Sequence, residues 1–142
     1  MSQILIGTVG SDVHSVANNL LENELLSSGF KVINLGVSVP VDELISKVSQ
    51  VNPNLVLIGS MNGDLQPVMD LIRELSLLNF PINNIIVGGN LKLGSEGIAI
   101  TEILRAQGVM VLDEINLKFS KISEVCNNKI SASDHKIKIN KK

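Results

Sequence analysis

One pair of residues in this sequence has the types and spacing for metal chemistry: Asp12 and His14, in Gly10-Ser11-Asp12-Val13-His14-Ser15-Val16-Ala17. A histidine that binds a metal through one ring nitrogen needs an acceptor for the other. A carboxylate two residues away can fix the tautomer and raise the ring's basicity. The same residues also have a plainer use, in which Ser11 or Asp12 caps a following helix and His14 stands solvated on its first turn. On residue types and spacing both readings stand. The pair lies between the apolar run Ile4-Leu5-Ile6-Gly7-Thr8-Val9 and the helical pattern that begins at Val16, so it occupies a turn from strand to helix.

Two further turns carry glycines where backbone could pass close to a ligand: Gly59-Ser60-Met61-Asn62-Gly63 and Gly88-Gly89-Asn90. Ser60 adds a hydroxyl at the same level, although it could equally cap the next helix.

The elements that must position these turns alternate along the chain. Lys31-Val32-Ile33-Asn34-Leu35, Leu55-Val56-Leu57-Ile58, Ile85-Ile86-Val87 and Val109-Met110-Val111 are strand-like aliphatic runs that follow the opening strand from about Gln3. Between them, apolar residues recur at helical spacing. The first helix presents Val13, Val16, Ala17, Leu20, Leu21 and Leu25, and ends at Ser27-Ser28-Gly29. The second begins near Pro40 and uses Val41, Leu44, Ile45, Val48 and Val51, closing at the turn Asn52-Pro53-Asn54. Val68, Leu71, Ile72, Leu75 and Leu78 mark the third, which a turn from Asn79 to Asn84 follows; Ile100, Ile103 and Leu104 mark the fourth, and Phe119, Ile122, Val125 and Cys126 the last.

Five strands alternating with five helices predict an α/β, flavodoxin-like (Rossmann-like) doubly wound parallel sheet with helices on both faces. In such a sheet, ligands bind outside the carboxyl ends of the strands, where the three unusual turns fall. The expected organisation is one domain over residues 1–127 and a mobile basic tail over 128–142, where lysines alternate with Ser, Asn and isolated Ile. His135 lies in that tail and reads as solvated.

Composition narrows the function. Of the 142 residues, 44% are hydrophobic and 18% charged, which argues against disorder, and the aromatic content of 2% leaves Ile, Leu and Val to build the core. A net charge of −2 with no Trp or Tyr gives neither the field nor the stacking surface for nucleic acid. No apolar run reaches a membrane span, and Met1-Ser2-Gln3 opens no signal peptide, so a cytoplasmic protein is expected. Cys126, the single cysteine, permits no internal disulfide and reads as a small core residue.

From Ile4 to about Asp113 the chain resembles the small (sigma) subunits of glutamate mutase, and the first turn resembles the DxHxxG motif of cobalamin-binding proteins. The resemblance implies that His14 is the lower ligand of cobalt in place of the cofactor's own base, and that Asp12 hydrogen-bonds His14. It implies a cofactor site of Ser11, Asp12, Val13, His14, Ser15, Ala17, Gly59, Ser60, Met61, Gly63, Gly88, Gly89 and Asn90. In that family an SxL motif and a double glycine hold the nucleotide tail. Gly88-Gly89 matches the double glycine, while Gly59 stands for the motif's serine, Met61 for its leucine and Ala17 for the glycine of DxHxxG. The implied cofactor is adenosylcobalamin. The implied activity is the radical isomerisation of L-glutamate to threo-3-methylaspartate, in a heterotetramer with a separate barrel-type catalytic subunit. A stand-alone corrinoid carrier or a cobalamin-sensing module is the alternative use of the same site.

Other occupants of this architecture fit less well. A phosphoreceiver domain needs a phosphorylatable aspartate after the third strand, where this chain has Gly59. A flavodoxin needs a hydroxyl- and glycine-rich phosphate loop in place of Ser11-Asp12-Val13-His14, and no GxGxxG dinucleotide fingerprint is present.

Overall fold

The computed structural model describes residues 2–9, 15–59, 66–88, 94–112 and 122–131, with side chains except at 15–18 and 94–98. Strands β1 (Gln3–Thr8), β2 (Lys31–Asn34), β3 (Leu55–Gly59), β4 (Ile85–Gly88) and β5 (Met110–Leu112) form one sheet in the order β2-β1-β3-β4-β5. All four pairings are parallel. Helices α1 (Ser15–Ser27), α2 (Val41–Val51), α3 (Gln66–Leu77) and α4 (Gly94–Ala106) connect them. A further helix, α5, covers 122–131.

The aliphatic runs are continuous because both faces of the sheet are buried. Side chains alternate across a strand. Leu5, Val56, Ile58, Ile85 and Val87 therefore pack with Leu44 and Val48 of α2, Val68, Leu71, Ile72 and Leu75 of α3 and Leu104 of α4. Ile4, Ile6, Leu55, Leu57 and Ile86 face the other way, against Leu25 of α1 and Cys126 and Ile130 of α5. Helices leave β1 and β3 toward opposite faces, which puts the topological switch between these two neighbours.

Three helices end alike. A left-handed residue, Gly29 (φ 93°), Asn79 (φ 63°) or Gly108 (φ 101°), turns the chain. The next amide then donates back to the last core leucine: Phe30 N to Leu25 O, Phe80 N to Leu75 O and Val109 N to Leu104 O, at 3.2, 3.0 and 3.1 Å. These are Schellman caps, and their apolar residues Phe30, Phe80 and Val109 are buried as the chain leaves the helix. Pro40 precedes α2 as its N-cap, and Asn52 (φ 51°) closes it. The turn from Asn79 to Asn84 contains a short 3-10 helix, Ile82–Asn84.

Several expectations change. Leu20 of α1, Leu78 after α3 and Ile103 of α4 are half exposed, at 50%, 50% and 45%. α1 and α4 bury a narrower stripe than their apolar periodicity suggests: Leu21 and Leu25 face inward on α1, and Leu20 points about 100° away from Leu21. Residues 128–131, expected in the tail, complete α5. Ile130 is buried, and Lys129 Nζ donates to Asn83 O at 2.6 Å. The remainder of the proposed tail, with His135, lies outside the described residues, as does Phe119. Among the described residues no helix is long and apolar enough to cross a membrane.

Cys126 is a fully buried free thiol, and burial pushes its pKa from 9.0 up to about 12, against a smaller downward pull from the Lys129 ammonium. The folded thiol keeps its proton where the unfolded one loses it. Its contribution to stability is therefore complete below pH 9 and is lost as the pH rises toward 12. In urea titrations the stability of the wild type will fall more steeply over that window than that of Cys126→Ala. Equal slopes would show that the thiol does not titrate differently in the two states.

Candidate cofactor site

The sheet register brings the ends of four strands into one row. Thr8 pairs with Gly59, Gly59 with Gly88, and Gly88 with Leu112. The chain runs directly from this row, through Val9, into the segment with Asp12 and His14, and from Gly59 and Gly88 into the two glycine turns. By alternation from Ile4, Ile6, Leu55, Leu57 and Ile86, the four residues of the row point to the face covered by α1 and α5. On that face Ser123 Oγ of α5 donates to Glu24 Oε1 of α1 at 3.4 Å, which ties the two helices together.

The end of β1 is held from the β2 side as well. Thr8 N donates to Gly36 O at 3.0 Å, Val39 N donates to Thr8 O at 2.9 Å, and Val9 forms an isolated parallel bridge with Val39. Gly36 takes φ 90°, where a side chain would be strained, and its N–H donates to Asn34 Oδ1 at 2.8 Å. The segment after β2 is thus strapped to the last residues before the Asp12–His14 turn.

The two central glycines of the row differ. A Cβ at Gly59 would lie 2.7 Å from the Thr8 Cγ2 methyl, closer than real Cβ contacts come. A Cβ at Gly88 would meet Leu112 O at 3.5 Å and Leu112 Cβ at 4.0 Å, which is ordinary contact. Packing among the described residues therefore explains the glycine at 59 and does not explain the one at 88. Gly59→Ala should destabilise the fold by about 1–3 kcal/mol, whereas Gly88→Ala should change stability by less than about 1 kcal/mol. Thermal and urea unfolding of the two variants check this, and equal losses would contradict it.

Of the residues expected to form the site, Gly59 and Gly88 stand side by side in the row. Ser15 and Ala17 lie in the opening turns of α1. Ser11, Asp12, Val13, His14, Ser60, Met61, Gly63, Gly89 and Asn90 lie outside the described residues. Among the described residues no cluster of three His, Cys, Asp or Glu forms a metal site. Thr8 and Leu112 are the row residues that the sequence does not single out. The one signal at Thr8 is a hydroxyl after the run Ile4-Leu5-Ile6-Gly7.

A sheet edge with two adjacent positions free of side chains, at the switch point of a doubly wound fold, suits a flat ligand group laid against backbone. The B12 binding domain family matches residues 2–112, and the chain belongs to that family. Within it the chain stands with the glutamate mutase sigma subunits: that of Carboxydothermus hydrogenoformans is 31% identical over 101 residues, 70% of this chain and 73% of the relative. The fold is shared with a cobalamin-binding protein from Desulfitobacterium hafniense, at TM-score 0.71 and 22% identity over 90% of this chain and 58% of that one. It is shared too with a signal receiver domain of a modulated diguanylate cyclase from Desulfovibrio desulfuricans, at TM-score 0.62 and 20% identity over 99% and 98% of the two chains. Architecture alone therefore does not separate cofactor binding from phosphorelay; the matched family does. This is a cobalamin-binding domain.

Proposed function

We propose that the chain is the small subunit of a glutamate mutase-type enzyme and binds adenosylcobalamin with His14 as the lower ligand of cobalt. Asp12 accepts a hydrogen bond from the other ring nitrogen of His14 and orients it. Ser60, Gly88 and Gly89 hold the nucleotide tail, and Ser11, Val13, Ser15, Ala17, Gly59, Met61, Gly63 and Asn90 complete the surroundings.

The observation that carries this reading is the row Thr8–Gly59–Gly88–Leu112. It makes the three chemistry-bearing segments continue from neighbouring points of one sheet edge. Gly88 fits a cofactor tail, since packing among the described residues does not account for its missing side chain, whereas the Thr8 methyl lies over Gly59.

When bound, adenosylcobalamin supplies radical chemistry by homolysis of its cobalt–carbon bond. This chain's share is to bind, orient and tune. Its two arginines are engaged elsewhere: Arg73 pairs with Asp70 at 3.5 Å, and Arg105 Nη2 donates to Val111 O at 3.4 Å. Recognition of the substrate carboxylates accordingly belongs to a separate barrel-type large subunit, in a cytoplasmic heterotetramer that interconverts L-glutamate and threo-3-methylaspartate.

The test is cobalamin binding followed by the cobalt(II) electron spin resonance spectrum of protein carrying nitrogen-labelled histidine. Hyperfine splitting that changes with the label supports protein histidine on cobalt, and an unchanged spectrum rejects it. Asp12→Ala should weaken cobalamin affinity by about 10–100-fold with the fold intact. Normal binding in a variant that melts early would make Asp12 a helix cap instead.

A further inference from the structure

We propose that Thr8 is a specificity-determining residue of the cofactor slot: its Cγ2 methyl, held over Gly59, sets the slot's width on the β1 side and thereby which nucleotide base the slot accepts. This inference rests on the cobalamin reading above and adds a residue to it.

Thr8 is 5% exposed, and its methyl occupies the space where a side chain at 59 would begin. A β-branched side chain holds its rotamer stiffly. Its hydroxyl also leans on the Gly36 carbonyl, at 3.5 Å. The Thr8 backbone is fixed on both sides by the Gly36 and Val39 hydrogen bonds. The methyl is therefore a rigid wall, since it can move aside only by turning the hydroxyl away from Gly36.

Across the row, Leu112 lies beside Gly88. β1 and β5 are three strand spacings apart, about 14 Å. Of the row, only Gly59 and Gly88 between them lack side chains. Leaning inward over Gly59, Thr8 narrows that gap from one side, so a base laid there meets the Thr8 methyl first. One methyl in an apolar slot suffices to discriminate between ligands that differ by one or two methyls.

The experiment compares three corrinoids: cobalamin, its analogue with an unsubstituted benzimidazole base, and cobinamide, which has no nucleotide. Affinities are measured by titration for the wild type, Thr8→Ser and Thr8→Val. Thr8→Ser keeps the hydroxyl and removes the methyl. It should shift preference toward the bulkier dimethylbenzimidazole by about tenfold, with cobinamide affinity unchanged. Thr8→Val keeps the wall and should retain the wild-type preference. In parallel, Gly59→Ala should lower the melting temperature less in the Thr8→Ser background than in the wild type.

An unchanged base preference in Thr8→Ser, or an equal shift for cobinamide, overturns the role of Thr8 and leaves the cobalamin reading standing. Failure of Thr8→Val to keep the preference overturns it also, as does an equal Gly59→Ala penalty in both backgrounds. If the wild type binds none of the three corrinoids, the cobalamin reading fails and this inference with it. Should Thr8→Ser fail to fold, Thr8→Ala carries the same comparison.

Discussion

Replacing His14 by alanine will lower cobalamin affinity by about 100-fold or more and remove the histidine hyperfine pattern from the cobalt(II) spectrum. Loss of a group that merely orients a metal ligand costs about 10–100-fold. Loss of the ligand itself removes a bond rather than a hydrogen bond, so the effect starts at the upper end of that range. The fold should survive, because the core on both faces of β1 is made by Leu5, Ile4 and Ile6 and the strand end is strapped by Gly36 and Val39. His135→Ala, the only other histidine change available, should alter neither affinity nor spectrum. Unchanged affinity and spectrum in His14→Ala would reject the assignment, and a matching loss in His135→Ala would move it to the other histidine.

Much of this fold is legible in the residues because a doubly covered parallel sheet leaves a strong signature. Leu55-Val56-Leu57-Ile58 cannot be a half-solvated strand, and Ile85-Ile86-Val87 has no polar face either; both are buried throughout. The helix ends were legible where backbone chemistry forces them, as at Gly29 and Asn52. How much of each apolar helix face is covered was not. Whether Leu20 or Ile103 is buried depends on where the helix rolls on the sheet, and that is settled by inward neighbours such as Leu25 and Leu104 rather than by periodicity. Lys129 reads as the start of a basic tail, yet its ammonium reaches the Asn83 carbonyl while Ile130 turns inward.

The candidate site divides in the same way. Asp12, His14 and the glycine turns stand out by residue type. The row that aligns the strand ends does not, because strand register is a property of pairing between distant segments. Thr8 acquires meaning only from its partner: nothing local in Gly7-Thr8-Val9 says that the methyl will lie against a glycine about fifty residues away.

By itself this chain will not turn over glutamate, even with cofactor bound. Radical chemistry needs a closed cavity that excludes water and holds substrate against the reacting bond. On the proposed reading this chain supplies one wall of such a cavity. Thr8, Gly59, Gly88 and Leu112 form an edge, with α1 and α5 on one face of the sheet behind it and α2, α3 and α4 on the other. Both arginines are engaged within this chain, Arg73 with Asp70 and Arg105 with the Val111 carbonyl. A second protein must then close the upper side of the cofactor and bring the substrate. On the proposed reading the cofactor lies between the two chains and contributes contact surface to both, so their association should strengthen when it is present. Sedimentation of this chain with a candidate large subunit, with and without adenosylcobalamin, should show a complex that depends on the cofactor and is lost in His14→Ala. The glutamate assay should register activity in that complex alone. Turnover by the isolated chain would refute the division of labour, and so would an equally tight complex formed by His14→Ala without cobalamin.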